Sequence, residues 1–204
     1  MKVNKIPKTS PASSTGTRDL IVTTALLRFS EDGFENVSMR AIAAEVGINP
    51  ATVYHHFKDK QALYEEVLRS VYRTFAQSFV ATLEGKGTGA ARLRRYVEEF
   101  CHFAFHNRQF LKLIKRSQLD GDAGRMSLMQ DPWAERQLAA CQAVIREVRP
   151  DLDPVFAAFG LHALILHHYE AMDAYRGTEG WTTAHEDPRQ VARFVLGLYL
   201  PGTA

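Results

Sequence analysis

The sequence has few cysteines and no long apolar run. Its 204 residues include two cysteines, Cys101 and Cys141, which stand far apart and outside any spacing typical of metal ligands. Both are therefore expected to be buried, reduced thiols rather than a disulfide framework. No apolar stretch approaches the roughly 20 residues that a bilayer-spanning helix needs. Residues 1–16 have lysines but no apolar core of a signal peptide, so we interpret them as a flexible tail and expect a cytoplasmic protein.

Catalytic and cofactor-binding motifs are also missing. The glycine-rich segment 85–89 lacks the spacing of a phosphate-binding loop and follows a predicted helix, so a connector is the favoured interpretation. His102 and His106 stand four residues apart, and His167 and His168 are adjacent, but beyond Cys101 no thiol or carboxylate stands at a matched spacing. No nucleophile elbow occurs. The sequence therefore predicts no enzyme, no metal and no cofactor.

The sequence does have a helical repeat of apolar residues. Ile21, Ala25 and Phe29 recur every four residues, and the same spacing continues after Asp59, for example at Leu63 and Val67. β-branched runs bounded by turn residues, which would indicate strands, are absent. The pattern predicts an all-α protein with helices at about 18–32, 39–46, 50–57, 60–83, 90–107, 109–118, 132–148, 154–175 and 187–200.

Capping residues mark the ends of the N-terminal helices. We expect Thr17, Ser38, Asn49 and Asp59 to act as N-caps, since their side-chain oxygens can accept from unpaired amides in the first turn. Pro50 suits the first position of a helix because it loses no helical hydrogen bond there. Two glycines, at positions 33 and 47, suit the ends of the first and second helices.

Residues 38–60, SMRAIAAEVGINPATVYHHFKDK, combine a short helix, a tight glycine turn and a second short helix. This is the layout of a helix-turn-helix, whose second helix enters the DNA major groove. Five apolar residues can form its core: Ile42, Val46, Ile48, Val53 and Phe57. Five others would then face outward: Pro50, Ala51, Thr52, Tyr54 and His55.

The outward side chains suit contact with DNA. Ala51 permits close approach, Thr52 offers a methyl to thymine or a hydroxyl to a base edge, and Tyr54 can reach a phosphate. Amides at the start of this helix are expected to favour phosphate as well. The net charge of +2 is small, so the DNA-binding interpretation depends on this pattern and not on bulk charge.

The stretch 21–68 resembles the DNA-binding region of the TetR family of transcription regulators. The resemblance depends on Ala25, Phe29, Gly33, Phe34, Ser38, Ile42, Ala43 and Gly47, and above all on TVYHHF at 52–57 followed by Lys60. It implies an all-α fold with three domains or segments. These are the tail 1–16, a three-helix helix-turn-helix DNA-binding domain at 17–60, and a helical effector-binding and dimerisation domain at 61–204.

The resemblance also implies roles for individual residues. Ser38 and Lys60 would bind phosphate, and Arg40 would lie near the backbone or a base edge. Pro50, Ala51 and Thr52 would face bases, while Tyr54 and His55 would bind phosphate or reach a base.

This chain departs from many family members in having Asn49-Pro50 where they have Ser-Lys or Ser-Pro. Because Pro50 cannot donate a hydrogen bond, base recognition should depend more on Thr52, His55 and apolar contact. Structural interpretations stay open beside these roles. Tyr54 could be a core aromatic, Ser38 only a cap, and Arg40 an ordinary solvated side chain.

The second half of the chain is rich in aromatic residues and methionine, a composition that fits an ordinary core equally well. By the TetR resemblance it would enclose a mostly apolar effector pocket, with histidines orienting the ligand. The last two helices would pair with those of a second copy in a homodimer. The predicted pocket-lining residues are Phe103, Phe110, Met129, Trp133, Phe159, His162 and His167.

The leading functional hypothesis is a repressor that a small apolar or amphipathic ligand releases from a near-palindromic operator. An activator, or a regulator without an effector, would have the same fold. An enzyme is a remote alternative, which would require His162, His167 and an acid to converge within hydrogen-bond distance.

Overall fold

The computed structural model describes residues 16–119, 132–200 and 202, and this part of the chain is all-helical. The predicted fold class is thereby confirmed. Met129 and nearly all of the predicted tail lie outside the described residues. The α-helices are α1 (Thr17–Asp32), α2 (Met39–Val46), α3 (Pro50–His56), α4 (Lys60–Leu83), α5 (Gly89–His106), α6 (Arg108–Leu119), α7 (Pro132–Val148), α8 (Pro154–Tyr175) and α9 (Pro188–Tyr199); a short 3₁₀ helix, Thr183–His185, precedes α9.

The chain divides into two compact units. Unit 1 consists of residues 1–73 and 109–131, and unit 2 of residues 74–108 and 132–204. The predicted domain boundary between residues 60 and 61 stays a prediction, since α4 begins at Lys60 and continues beyond it. None of the described helices is both long enough and apolar enough to cross a membrane.

Unit 1 is built on the first three helices, with α1 packed against α2 and α2 against α3. Ile21 and Phe29 of α1, Ile42 of α2 and Val53 of α3 are all completely buried. Tyr64 of α4 lies edge-on to Phe29, with ring centroids 5.1 Å apart and planes at 88°, a favourable aromatic geometry. The four-residue apolar spacing of the sequence therefore corresponds to a shared core.

Three of the four predicted N-caps are confirmed. The amides of Ala41, Ala51 and Ala62 donate to the side chains of Ser38 at 3.1 Å, Asn49 at 2.9 Å and Asp59 at 2.7 Å.

The prediction for Thr17 was wrong. Gly16 is the N-cap of α1, and its carbonyl accepts from the amides of Asp19 and Leu20 while no side chain caps the helix. Thr17 is therefore already the first helical residue, where its hydroxyl is past the capping position. At the other end of the motif, Gly47 closes α2 in the left-handed conformation, with φ 76° and ψ 31°. Most residues with a Cβ are strained there, so this glycine permits the tight turn into α3.

Unit 2 is a helical assembly in which α5 packs against α7, α8 and α9, and α7 against α8. Its largest fully buried side chains include Tyr96, Ile145, Leu161 and Tyr169. Cys101 and Cys141 are buried, free thiols, as predicted, and burial raises the pKa of each to about 12. Both therefore stay protonated and unreactive at neutral pH.

A close approach joins α8 and α9 in unit 2. The Tyr199 hydroxyl, near the end of α9, donates a 2.8 Å hydrogen bond to the carbonyl of Ala157 in α8. Gly160 lies beside this bond, and a Cβ at position 160 would stand 3.3 Å from the Tyr199 hydroxyl oxygen. The missing side chain at Gly160 therefore leaves room for the contact between the two helices.

Candidate nucleic-acid interface

The surface of α3 is fixed from behind by its own apolar residues. Val53 is completely buried, and Phe57, which follows the last turn of α3, is 5% exposed. The Arg18 guanidinium lies 5.1 Å from the Phe57 ring centroid and is paired with Glu66 of α4 at 2.9 Å. The end of α3 is thus held against both α1 and α4.

The opposite edge of α3 faces solvent. Ala51, Tyr54 and His55 are exposed, while Pro50 and Thr52 are half-buried. Tyr54 is 51% exposed, so it is not a core aromatic. The structure therefore brings these five predicted contact residues to one accessible edge, which presents a hydroxyl, a phenol, an imidazole and two apolar groups.

Ser38 and Arg40 lie exposed at the start of α2. The Ser38 oxygen accepts from Ala41 as a cap, and its hydroxyl hydrogen can still donate to a phosphate. Within the described residues Arg40 forms no ion pair, whereas Arg28 is paired with Asp32 and Glu45. Arg40 is thus a cation whose charge the described part of unit 1 does not neutralise by a direct pair.

The amides at the start of α3 are already used within the chain. Asn49 accepts from Ala51 through its side chain at 2.9 Å and from Thr52 through its carbonyl at 2.8 Å. Pro50 has no amide hydrogen, so these bonds leave fewer free amides for a phosphate, and the expectation that this helix end binds phosphate stays a prediction.

Lys60 is not arranged as the resemblance implied. Its ammonium donates to the carbonyls of Phe34 at 2.8 Å and Glu35 at 3.3 Å, and it lies 4.3 Å from the Phe34 ring centroid. The ammonium is directed into the turn between α1 and α2 through two of its three donors, and the phosphate contact predicted for Lys60 stays a prediction.

Unit 2 contains a buried polar cluster, which we call the Tyr96 cluster and define as Tyr96, Gln137 and His162. The Gln137 amide donates to the Tyr96 oxygen at 2.9 Å, and the Tyr96 hydroxyl lies 2.6 Å from Nε2 of His162. Nδ1 of His162 lies 2.6 Å from the carbonyl of Ala158. Since a carbonyl only accepts, Nδ1 carries the proton and Nε2 accepts from Tyr96.

The surroundings of the Tyr96 cluster are apolar and keep His162 neutral. The rings of Phe79 and Phe100 lie 5.5 and 5.8 Å from that of Tyr96, and Phe100 lies 5.4 Å from the His162 ring. Burial lowers the pKa of His162, opposed by its bond to the Ala158 carbonyl. The cluster is therefore an uncharged polar patch in an aromatic environment.

The predicted pocket residues are only partly brought together. Phe103 is buried against Phe79 at a centroid distance of 5.7 Å, which places it in the surroundings of the Tyr96 cluster. Phe110 is buried but belongs to unit 1, and Trp133 is half-buried with the Arg136 guanidinium 5.5 Å from its ring.

Two of the predicted pocket residues need correction, because Phe159 is 72% exposed and His167 is also exposed. Both lie on outward positions of α8, so neither is enclosed by the described part of unit 2. His167 is thus exposed, whereas His162 is half-buried in the Tyr96 cluster.

Sequence reasoning missed Tyr96 and Gln137 as functional candidates. Tyr96 lies on the apolar stripe of α5 and has the pattern of a core aromatic, while Gln137 lies on α7, 41 residues away in sequence. No local spacing joins them.

An apolar surface, which we call the α8–α9 face, lies on the outside of unit 2. Phe156 is 80% exposed, Phe159 72% and Phe194 64%. Its members are Val155, Phe156, Phe159, Leu164, Phe194 and Leu198. Exposed phenylalanines in such a group are typical of a surface that takes part in an interaction.

The capped α2, the left-handed turn at Gly47 and the outward edge of α3 define a helix-turn-helix protein. Residues 21–67 match the family of bacterial regulatory proteins described as the tetR family. This match confirms the resemblance found in the sequence: residues 21–67 are a DNA-binding region of the TetR type.

Similar proteins extend this result. The HTH-type transcriptional regulator UidR of Escherichia coli K12 is 38% identical over 69 residues, which cover 34% of this chain and 35% of UidR. The chain matches UidR and similar curated regulators over less than half of their length.

Two solved structures share the fold of most of the chain. One is FadR from Bacillus subtilis in complex with stearoyl-CoA, with TM-score 0.72, 14% identity and coverage of 91% of this chain and 98% of FadR. The other is AibR in complex with isovaleryl coenzyme A and operator DNA, with TM-score 0.70, 17% identity and coverage of 91% and 99%. At these identities the similarity shows the fold alone.

Proposed function

We propose that this protein is a DNA-binding transcriptional repressor of the cytoplasm that works as a homodimer and releases its operator when a small ligand binds. The observation that carries the proposal is the outward polar edge of α3, which Val53 and Phe57 hold from behind. A helix presented in this way fits the major groove, where hydrogen-bonding groups on base edges specify sequence.

Each exposed residue of the motif has a proposed contact. Thr52 and His55 read base edges, while Pro50 and Ala51 make close apolar contact. Tyr54, through its phenol, bonds a phosphate. The phosphate contacts position the helix-turn-helix on the duplex without specifying sequence.

Ser38 and Arg40, at the start of α2, complete the proposed DNA contacts. Ser38 donates its hydroxyl to a phosphate while its oxygen remains the cap of α2. Arg40 lies near the backbone, where its charge favours any duplex.

The α8–α9 face is the proposed dimer interface. Phe156 and Phe159 stand three residues apart on α8, and Phe194 adds a third exposed ring from α9. A two-fold dimer through this face would present two α3 helices to successive major grooves about 34 Å apart, which requires a near-palindromic site.

The proposed ligand site is the Tyr96 cluster with its aromatic surroundings. A pocket that is mostly apolar with a few convergent polar groups suits an amphipathic small molecule. The thioester complexes of FadR and AibR support a ligand with an acyl group, whose carbonyl would meet an uncharged donor such as the Tyr96 hydroxyl. α4 carries residues of both units in one helix. We therefore propose that ligand binding shifts α4 and so changes the DNA affinity of the helix-turn-helix.

The test is selection of bound duplexes from a random DNA pool by the wild-type protein, followed by titration with acyl-CoA thioesters. A two-fold symmetric selected site whose affinity falls about 5- to 150-fold with ligand supports the repressor. Tyr54→Ala should weaken binding to every selected duplex, whereas Leu138→Ala, in the exposed part of α7, should not. A selected site whose affinity no thioester changes would favour the effector-independent regulator, and failure to enrich any duplex would refute DNA recognition.

A further inference from the structure

The polar side-chain ends of the Tyr96 cluster converge within unit 2. The Tyr96 oxygen lies 2.6 Å from Nε2 of His162 and 2.9 Å from Nε2 of Gln137, and the two nitrogens lie 3.5 Å apart. Tyr96 is completely buried, Gln137 is 5% exposed and His162 is half-buried. The rings of Phe79 and Phe100 lie beside them, so this triangle of polar atoms is set in an apolar environment.

The geometry assigns the hydrogens that Tyr96 and His162 share. Nδ1 of His162 donates to the Ala158 carbonyl, so Nε2 has no hydrogen and accepts from the Tyr96 hydroxyl. The Gln137 amide donates to the Tyr96 oxygen. A tyrosine hydroxyl has only one hydrogen. A ligand carbonyl can therefore receive that hydrogen only if Nε2 of His162 loses its donor.

A carboxylate that binds together with one proton fits this arrangement better than a neutral carbonyl does. A carbonyl that takes the Tyr96 hydrogen leaves the imidazole nitrogen without a donor in an apolar environment, which weakens binding. A proton added to Nε2 of His162 turns that nitrogen into a donor and frees the Tyr96 hydroxyl to donate as well. Two donors and one positive charge then converge, and a carboxylate complements all of them.

We propose that the effector is a fatty acid whose carboxylate binds the Tyr96 cluster while His162 takes up one proton. The bound pair of imidazolium and carboxylate is neutral overall, so no uncompensated charge is placed among the aromatic rings. The hydrocarbon chain would lie against Phe79, Phe100 and Phe103, whose rings pack together at centroid distances of 5.2 and 5.7 Å from Phe79. This inference rests on the proposed function for the location of the ligand site, and it specifies which acyl compound that site prefers.

The other titratable groups on the helices around His162 are uncharged near neutral pH. On α7 the Cys141 thiol has a pKa that burial raises to about 12, and on α9 burial raises the pKa of the Tyr199 hydroxyl. α5 meets the imidazole through the Tyr96 hydroxyl, and α4 meets the cluster through the ring of Phe79. None of these groups carries a charge that would compete with a carboxylate for His162.

Charged residues directly before Tyr96 and Gln137, and one turn after Tyr96, have partners elsewhere in unit 2. Within the described residues, His162 is therefore the group at this site that can take up a proton near neutral pH. The partners are the Lys86 carbonyl for Arg95, Glu84 for Arg136 and the Thr82 hydroxyl for Glu99.

The proposal fixes the direction in which pH changes the affinity. Burial lowers the pKa of His162 in the free protein below its ordinary value of about 6.5, so above that pH each bound acid brings one proton with it. The affinity for the acid should therefore fall about tenfold for each pH unit between about 6.5 and 7.5. An alcohol or a methyl ester of the same chain takes up no proton, so its affinity should stay constant.

The experiment is calorimetric titration of the wild-type protein with straight-chain fatty carboxylates from octanoate to myristate. Each carboxylate is compared with its alcohol, its methyl ester and its CoA thioester. Titrations at about pH 7.5 in phosphate and in Tris count the protons taken up, because the two buffers differ in their heat of ionisation. Uptake of one proton per carboxylate, with an affinity at least about tenfold above that of the thioester, supports the inference.

His162→Gln provides an independent test, because it removes the titratable nitrogen and keeps a polar side chain. Its affinity for the carboxylate should fall about tenfold or more and its proton uptake should be lost, while its affinity for the alcohol should change little. A merely structural role of His162 would instead weaken all four compounds alike. His167→Gln, at an exposed histidine of the same helix, is the matched control and should keep both affinity and proton uptake.

Several results would overturn the inference and leave the proposed function intact. They are carboxylate binding without proton uptake, proton uptake that persists in His162→Gln, a thioester or an alcohol that binds as tightly as its acid, and a series in which no carboxylate binds. If His162→Gln fails to fold, the proton count and the comparison of compounds on the wild type still decide the question. A wild type that enriches no duplex refutes DNA recognition, whereas the calorimetry tests the acid site without DNA.

Discussion

The two units of the molecule distribute polar and apolar groups in opposite ways. Unit 1 buries Val53 and exposes the polar edge of α3, whereas unit 2 buries Tyr96 and Gln137 and exposes Phe156. Polar side chains are stable in contact with water, so the exposed edge of α3 needs no partner to cover it. Buried polar groups need one another, and exposed phenylalanines need a covering molecule. Unit 1 is therefore suited to the reversible DNA binding that we propose for it, and unit 2 to the proposed homodimer.

The largest effect should come from placing charge on the α8–α9 face. Phe156→Glu with Phe159→Glu is expected to raise the dimer dissociation constant at least about 100-fold, because two large apolar anchors are replaced by carboxylates that cannot be desolvated cheaply. Sedimentation measures the dissociation constant. Leu138→Glu, at a residue of α7 that is 42% exposed, is the control and should leave it unchanged. Equal dissociation in both proteins would place the interface elsewhere.

The next effect should come from the Tyr96 cluster. Tyr96→Phe removes one hydroxyl, and with it the 2.6 Å bond to Nε2 of His162 and the 2.9 Å bond from the Gln137 amide, so the free energy of unfolding should fall by about 1–3 kcal/mol. Urea denaturation measures this loss. Tyr175→Phe, at a tyrosine that is 51% exposed, should change the same quantity very little. If the two variants were equally stable, the buried bonds of unit 2 would not be a stabilising network.

A change in unit 1 should alter recognition and leave stability unchanged. Thr52→Ala is expected to change sequence preference by about 1–3 kcal/mol at one base position, because it removes the hydroxyl and methyl offered to a base edge. Selection from a random duplex pool measures the preference, and thermal unfolding checks the fold. A binding-site profile identical to that of the wild type would contradict the contact.

The smallest effect concerns pH. Because burial lowers the pKa of His162 in the folded state, the unfolded chain binds a proton more readily. The contribution of His162 is complete above the unfolded value of about 6.5 and is lost as the pH falls below it. The pKa of His102 is lowered in the same direction, chiefly by burial and then by His106.

The measurement is the free energy of unfolding between about pH 7.5 and 5, above the range in which paired carboxylates titrate. His162→Gln, which cannot titrate, should show a shallower loss of stability on acidification. The same pH dependence in both proteins would mean that His162 does not contribute.

The helices and the helix-turn-helix of this protein could be predicted from the sequence, because the capping residues and apolar spacings that define them are local. Ser38, Asn49 and Asp59 cap within three residues of their own position, and the spacing of Ile42 and Val53 decides which edge faces outward. The partners of Lys60 within the chain could not be predicted, because they lie 25 and 26 residues away, in a turn whose carbonyl directions no pattern of side chains encodes.

The site in unit 2 follows less well from the sequence. Tyr96 and His162 meet across 66 residues, so only the packing of α5 against α8 brings them together. Phe159 was assigned to the interior because it is large and apolar. Hydrophobicity alone does not distinguish a core position from an interface position, and the helix that carries both kinds of residue is apolar nearly all round.

The absent side chain of Gly160 has a consequence for the α8–α9 face. A Cβ at position 160 would stand 3.3 Å from the Tyr199 hydroxyl oxygen, so the tyrosine or one of the two helices would have to shift by a few tenths of an ångström. If this face is the dimer interface, as we propose, even a methyl group at this inward position would change how well two copies fit together.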